Sequence, residues 1–135
     1  EIYLKLKLEG NVNNQINIVE YIDINSFVKI VLEILKDPKF GSIIVICGPS
    51  LSIKYIELAK QLVNLSQLSN KTILSSFFGI SKIDQVKKIF TKAKIPFFHY
   101  PESAISSLKF MYEFQEWRNN LTLDSVYQLI DWLER

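Results

Sequence analysis

The run Ile43-Ile44-Val45-Ile46-Cys47 is the sequence feature that most limits how this chain can fold. It contains no alternating polar positions and consists mainly of β-branched residues, which is typical of a strand buried on both faces. Gly48-Pro49-Ser50 interrupts the pattern. Helical spacing lies on both sides of this run, so we predict a parallel sheet with helices packed against its faces.

The rest of the chain alternates strand and helix patterns. We predict three further strands, at residues 2–8, 72–78 and 95–99, and leave residues 16–19 open as a short strand or an ordered loop. Helices are predicted after a cap at Asn25 or Ser26, over residues 51–68, after a Ser81–Asp84 capping box, from Pro101, and after a Thr122 cap.

This order predicts an α/β three-layer sandwich, flavodoxin-like or Rossmann-like, with a mostly parallel sheet flanked by helices. We assign residues 1–120 to one domain and residues 121–135 to a C-terminal helix of unknown role. That helix could swap, pack on the core or lead into another domain. Residues 119–122 are the only candidate for a domain boundary, and the signal there is weak.

Composition excludes several classes of function. The 135 residues carry a net charge of +2, one Cys and one His, which argues against a nucleic-acid binder, a disulfide framework and a Cys- or His-rich metal site. There is no apolar stretch of the roughly 20 residues that a membrane span needs, so we expect no membrane and a cytoplasmic location. Because the sequence does not begin with Met, we expect it to be a piece of a longer chain.

Ligands of parallel sheets bind beyond the carboxyl ends of the strands. Three segments fall there: Gly48-Pro49-Ser50, Gly79-Ile80-Ser81 and residues 99–102. The first two put flexible backbone before a helix, where exposed N–H groups attract anions. The alternative is a tight turn in which glycine serves only the backbone. Neither a dinucleotide-binding nor a P-loop glycine motif is present.

Two other residue sets have a functional and a structural interpretation. Cys47 and His99 could form a nucleophile–base pair, or Cys47 could be a small buried residue and His99 a partly exposed one. We favour the second interpretation, because nothing supplies an orienting acid. Tyr112, Phe114 and Trp117 are interpreted as core or interface residues, since no Lys or Arg stripe accompanies them.

Four motifs, in order, resemble the NDP-forming acyl-CoA synthetases. Residues 95–104 (IPFFHYPESA) and 112–118 (YEFQEWR) resemble the family's GIPxYxxPERA strand and helix ending near YxEWR. Residues 71–79 (KTILSSFFG) resemble KPVLxSFxGG, and residues 37–45 (DPKFGSIIV) resemble DPxVDAVLVI. Residues 14–18 (NQINI) stand where the family often has NPVDI. The order and spacing agree over about residues 12–118.

The resemblance implies the family's CoA-ligase module, a flavodoxin-like domain similar to the carboxyl-terminal domain of the succinyl-CoA synthetase β subunit. It implies that the module's strand-to-helix loops help form a pocket for a phosphohistidine carried on another module. By position, the phosphate-binding residues would be Gly48, Pro49, Ser50, Phe78 and Gly79. The module itself would hold no cofactor, whereas the full-length protein would use CoA and ATP or ADP with Mg.

The implied partners are the phosphohistidine module, a CoA-binding domain and an ATP-grasp domain of the synthetase. None of their motifs is in this sequence, so we expect no ligase activity from the chain alone. The chain departs from the family at Gln15, Asn17, Ile80 and Ser103. These departures favour an alternative, a non-catalytic regulatory or subunit-contact module such as occurs in acetyltransferase-fused relatives.

Overall fold

The computed structural model describes residues 23–51, 53–121 and 123–133. Its helices and strands alternate along the chain: α1 (Ile24–Lys36), β1 (Ser42–Cys47), α2 (Tyr55–Gln67), β2 (Thr72–Phe77), α3 (Ile83–Lys92), β3 (Phe97–Phe98), α4 (Pro101–Asn119) and α5 (Leu123–Leu133). The strand predicted at residues 2–8, the segment at 16–19 and the Thr122 cap lie outside the described residues.

The three strands form a parallel sheet in the order β1-β2-β3. Ser42 is paired with Thr72 and Cys47 with Phe77, so β1 and β2 match along their whole length. At β3 only Phe97 and Phe98 pair, with Ser75 and Ser76. This parallel sheet flanked by helices confirms the predicted α/β class and is consistent with a flavodoxin-like fold.

One face of the sheet carries the main hydrophobic core. Side chains of β1 and β2 meet the apolar faces of α1, α2 and α3 there, and α2 packs between the other two helices. The aromatic centre of this core is Phe77, whose ring lies 5.4 Å from that of Phe90 and 6.4 Å from that of Phe97. The core therefore fixes the strand ends from which the candidate loops emerge.

Helix α4 lies on the other face of the sheet. It contacts all three strands, and its buried Ala104 is outside the main core cluster. Gly41 lies under Tyr112, because a Cβ on Gly41 would come within 2.8 Å of the Tyr112 hydroxyl. Only the first part of α4 is buried, since every residue from Lys109 to Asn119 is exposed.

Two predicted helix starts are wrong, and local geometry explains both. Helix α1 is capped by Asp23, which accepts a hydrogen bond from the Ser26 N–H at 3.0 Å, and not by Asn25 or Ser26. The Ser81–Asp84 capping box does not form, because Lys82 occupies the cap position in a left-handed conformation with φ of 59°. Ser81 therefore stands one residue too early to cap the helix.

The second predicted helix begins later than expected and the last strand is shorter. Helix α2 starts at Tyr55 and not at residue 51. The strand predicted at residues 95–99 contains only Phe97 and Phe98. Pro96 has no N–H to donate to a strand neighbour, and the Ile95 N–H is already bonded to the Phe90 carbonyl at 3.0 Å. Helix α4 begins at Pro101, as predicted.

Among the described residues, none of the helices combines the length and apolar character that crossing a lipid bilayer requires.

Candidate functional site

The loops after β1 and β2 are in direct contact at the carboxyl edge of the sheet. Gly79 has a left-handed backbone with φ of 62°, and a Cβ there would come within 2.8 Å of the Pro49 ring. A Cβ on Gly48 would lie 3.2 Å from the Phe78 ring. The Phe78 N–H also donates to the Cys47 carbonyl at 3.1 Å. The structure thus brings together the predicted residues Gly48, Pro49, Phe78 and Gly79.

The fifth predicted residue, Ser50, is held by a side chain that the sequence analysis missed. The Ser50 N–H donates to the hydroxyl oxygen of Tyr55. That hydroxyl also lies 3.0 Å from the carbonyl oxygens of Gly48 and Ser50, to one of which it can donate. Tyr55 is buried, and this burial raises the pKa of its phenol. Its hydroxyl therefore fixes the shape of the 48–50 loop.

The late starts of α2 and α3 change where an anion could meet helix N-terminal groups. Helix α2 begins five residues after Ser50 and α3 begins four residues after Gly79, so the free N–H groups of their first turns lie beyond the glycines and not beside them. Between the two helix starts lies an open cavity of about 510 Å³. It is lined by Ile53, Lys54, Tyr55, Ile56, Glu57, Lys60, Ser81 and Lys82. We call this cavity the inter-helix groove.

The inter-helix groove is positively charged. Lys54, Lys60 and Lys82 contribute three cations against the single carboxylate of Glu57. A net positive charge at two helix N-termini favours an anionic ligand. Lys54 and Lys82 occupy the N-cap positions of α2 and α3. The sequence analysis did not predict lysine at these positions, because N-cap residues are normally Ser, Thr, Asp or Asn. The sequence contains no signal that Lys54 and Lys82 line one groove; only the positions of the helix starts in the fold show it.

Cys47 and His99 do not form a nucleophile–base pair. Cys47 faces the main core, and burial raises the pKa of its thiol to about 11, so the thiolate is scarce at neutral pH. His99 is exposed and meets the Phe97 ring edge-on, with ring centroids 5.2 Å apart. The interpretation of Cys47 as a buried structural residue is therefore confirmed. Tyr112, Phe114 and Trp117 are exposed and belong to no described core.

The comparison with known proteins adds an independent observation. No protein-family model matches the chain. Over 108 residues, 80% of its length, the chain is 34% identical to the 4-hydroxybutyrate–CoA ligase (ADP-forming) of Nitrosopumilus maritimus strain SCM1. This similarity supports the NDP-forming acyl-CoA synthetase family. The matched part makes up 16% of that ligase, so the chain spans about one sixth of the length of this relative.

Proposed function

We propose that this chain is the CoA-ligase, flavodoxin-like module of an NDP-forming acyl-CoA synthetase. The observation that carries the proposal is the 34% identity to an ADP-forming CoA ligase over 80% of the chain. The α/β fold with a parallel sheet is the one that this module requires. Residues 1–120 form the module in this proposal, and α5 lies outside it.

In this role the module contributes part of a site for a phosphohistidine or an acyl phosphate. The interlocked loops at Gly48–Ser50 and Phe78–Gly79 form the wall of the site. The N-terminal turns of α2 and α3, with Lys54 and Lys82, supply the positive field for the phosphoryl group. A phosphoryl group is held best where donors are fixed before it arrives, and the Tyr55 hydroxyl fixes this edge.

The full-length enzyme would interconvert acyl-CoA, ADP and phosphate with the free acid, CoA and ATP. Its phosphohistidine module, CoA-binding domain and ATP-grasp domain would bind CoA and ATP or ADP with Mg, and this module would hold no cofactor of its own. The module is inactive without those partners. This proposed function implies that the protein is cytoplasmic, because CoA and the nucleotide would be supplied there.

One observation favours a second function, a non-catalytic module that makes regulatory or subunit contacts. The Ser50 N–H is bonded to Tyr55, the Phe78 N–H is bonded to the Cys47 carbonyl, and Pro49 has no N–H. Three of the five predicted phosphate residues therefore offer no free backbone donor. A regulatory module would have the same α/β sandwich fold and would not need to bind phosphate at the carboxyl edge of the sheet.

The groove lysines distinguish the two functions better than Gly79 does. Replacing Gly79 would disturb the backbone and Pro49 whatever the function. Lys54 and Lys82 are exposed, so their replacement by Gln removes charge and leaves the core intact. In the full-length protein, we expect Lys54→Gln with Lys82→Gln to slow formation of the phosphohistidine by about 10-fold, the effect of losing roughly 1.4 kcal/mol.

The matched control is Lys88→Gln, an exposed lysine of α3 that does not line the groove. It should leave phosphoryl transfer unchanged. A direct measurement is available with the 135-residue chain, whose amide resonances at the starts of α2 and α3 should shift on titration with inorganic phosphate. Equal rates for the double variant and the control, together with no such shifts, would favour the regulatory function.

A further inference from the structure

The outer face of α4 carries an apolar row that no described part of this chain covers. Phe110, Phe114 and Trp117 follow one another at intervals of four and three residues, which places them on one side of the helix. Their side chains are 69%, 59% and 57% exposed. The rings of Phe114 and Trp117 lie 5.7 Å apart, so these two residues form a continuous aromatic surface. We call these three residues the α4 row.

Helix α5 carries a second row with the same spacing. Val126, Ile130 and Leu133 are separated by four and three residues and are 42%, 44% and 68% exposed. We call them the α5 row. Within the described ranges, α5 makes no extensive contact with any strand or helix. A helix of 11 residues is marginal in water by itself, so its stability requires a surface to pack against.

The two rows are suited to each other but do not meet within one copy. Intervals of four and three residues are the pattern by which two helices pack side by side along a seam. Only residues 120–122 join α4 to α5, a length that commonly lets a second helix fold back antiparallel to the first. Among the described residues, α5 makes no extensive contact with α4. Exchange of the same element between two copies is a low-cost route to a dimer.

We propose that the α4 and α5 rows form an interface with a second copy of this chain. The α5 row of each copy packs on the α4 row of the other, around a two-fold axis. The two contacts are then equivalent, as a closed dimer requires. This inference is independent of the phosphate site, which lies at the opposite, carboxyl edge of the sheet.

Area and charge both fit a dimer. If each of the six side chains exposes on the order of 100 Å², the exchange would bury roughly 600 Å² per copy and about 1,200 Å² in total. That total reaches the lower limit of specific protein interfaces. The charged residues nearest to the α4 row are Glu113 on one side and Arg118 on the other, so this side of α4 carries no excess charge that would repel the partner's α5.

Single-cysteine crosslinking tests the exchange directly. The one native cysteine, Cys47, is buried and does not interfere. Two variants, Phe114→Cys and Ile130→Cys, are prepared separately, mixed, and oxidised. If α5 of one copy packs on α4 of the other, the two cysteines come within the roughly 4 Å between Cβ atoms that a disulfide needs. We expect a covalent dimer that contains one copy of each variant.

The matched controls are Gln115→Cys and Gln128→Cys, exposed residues on the other sides of the two helices. Their mixture should give at least 10-fold less mixed dimer. The double variant Phe114→Cys/Ile130→Cys, oxidised at low concentration, tests the competing arrangement. An intramolecular disulfide in most molecules would show that α5 folds back on its own α4, and would overturn the proposal.

Sedimentation equilibrium supplies a readout that needs no cysteine. The unmodified chain should be a dimer at micromolar concentration, and Phe114→Asp or Ile130→Asp should shift it to monomer. Gln115→Asp should remain dimeric, and circular dichroism should show the same core unfolding in all four chains. A monomer for the unmodified chain at 100-fold higher concentration, or a dimer that both Asp variants leave intact, would overturn the proposal.

Discussion

Gly79 and Pro49 touch across the carboxyl edge of the sheet, with 2.8 Å between the Pro49 ring and the position that a Gly79 Cβ would occupy. Gly79 is also the only described glycine with a positive φ. The loop after β2 therefore depends on glycine for two reasons, backbone conformation and space.

Gly79→Ala should destabilise the fold by about 1–3 kcal/mol, because a left-handed backbone costs an alanine about 1–2 kcal/mol and the methyl group must displace Pro49. Urea unfolding followed by circular dichroism measures the loss. Gly41→Ala is the control, since its Cβ would meet only the movable end of Tyr112 and should cost less than about 1 kcal/mol. Equal losses for the two variants would contradict the reasoning.

Tyr55→Phe should lower the free energy of unfolding by about 1–2 kcal/mol, because it leaves the Ser50 N–H and the Gly48 carbonyl without their partner. The amide resonances of residues 48–50 should exchange faster with solvent. Tyr100→Phe, at an exposed tyrosine, should change neither quantity. If both variants behave like the unmodified chain, Tyr55 does not hold the loop.

Cys47 should make the fold less stable at alkaline pH. The unfolded thiol loses its proton near a pKa of 9.0, whereas the folded thiol keeps its proton up to a pKa of about 11. Between those values the folded state binds more protons, so the free energy of unfolding falls as pH rises, by on the order of 1–2 kcal/mol in total. Below pH 9 the Cys47 thiol makes its full contribution to the free energy of unfolding.

Unfolding curves of the unmodified chain and of Cys47→Ala, recorded from pH 7 to 11, isolate this effect. The difference in stability between the two chains should shrink as pH rises through that window. A difference that stays constant would mean that the folded thiol titrates like an unfolded one.

Ser75 and Ser76 are neighbours in β2 and should respond oppositely to replacement. Both are fully buried, but the Ser75 hydroxyl donates to the Pro96 carbonyl at 2.9 Å. Among the described atoms, the Ser76 hydroxyl has no partner. Ser75→Ala should cost about 0.5–1.5 kcal/mol, and Ser76→Ala should be neutral or stabilising by up to about 1 kcal/mol. Chemical unfolding of both variants tests this, and a larger loss for Ser76→Ala would refute it.

The fold class was predictable because it depends on local patterns. The β-branched run at Ile43–Cys47 predicts a buried strand, and the helical spacings around it leave little choice other than a parallel sheet. Element boundaries were less predictable where a distant contact decides them. Helix α2 begins at Tyr55 in a segment shaped by the Tyr55 hydroxyl bonded to Gly48 and Ser50, and no local propensity encodes that contact.

The candidate site was predictable only in part for the same reason. The loop residues follow strand ends, so a parallel sheet brings them to one edge. The groove lysines Lys54 and Lys82 are 28 positions apart and lie at caps of an unusual type, so only the paired helix starts reveal them. The departure at Ile80 has a structural account as well, since its side chain is buried in the main core.

The unequal covering of the two sheet faces has a consequence for sequence variation. Among the described residues, three helices close one face, where residues such as Leu62, Val86 and Phe90 are fully buried. On the other face Ile46 is half exposed, and α4 is buried only near its start. In a saturation mutagenesis screen scored on folding alone, polar substitutions should therefore be rejected on the α1–α3 side of the sheet and tolerated on the α4 side. Positions on the permissive side that still reject polar residues in cells would be under selection for assembly and not for folding.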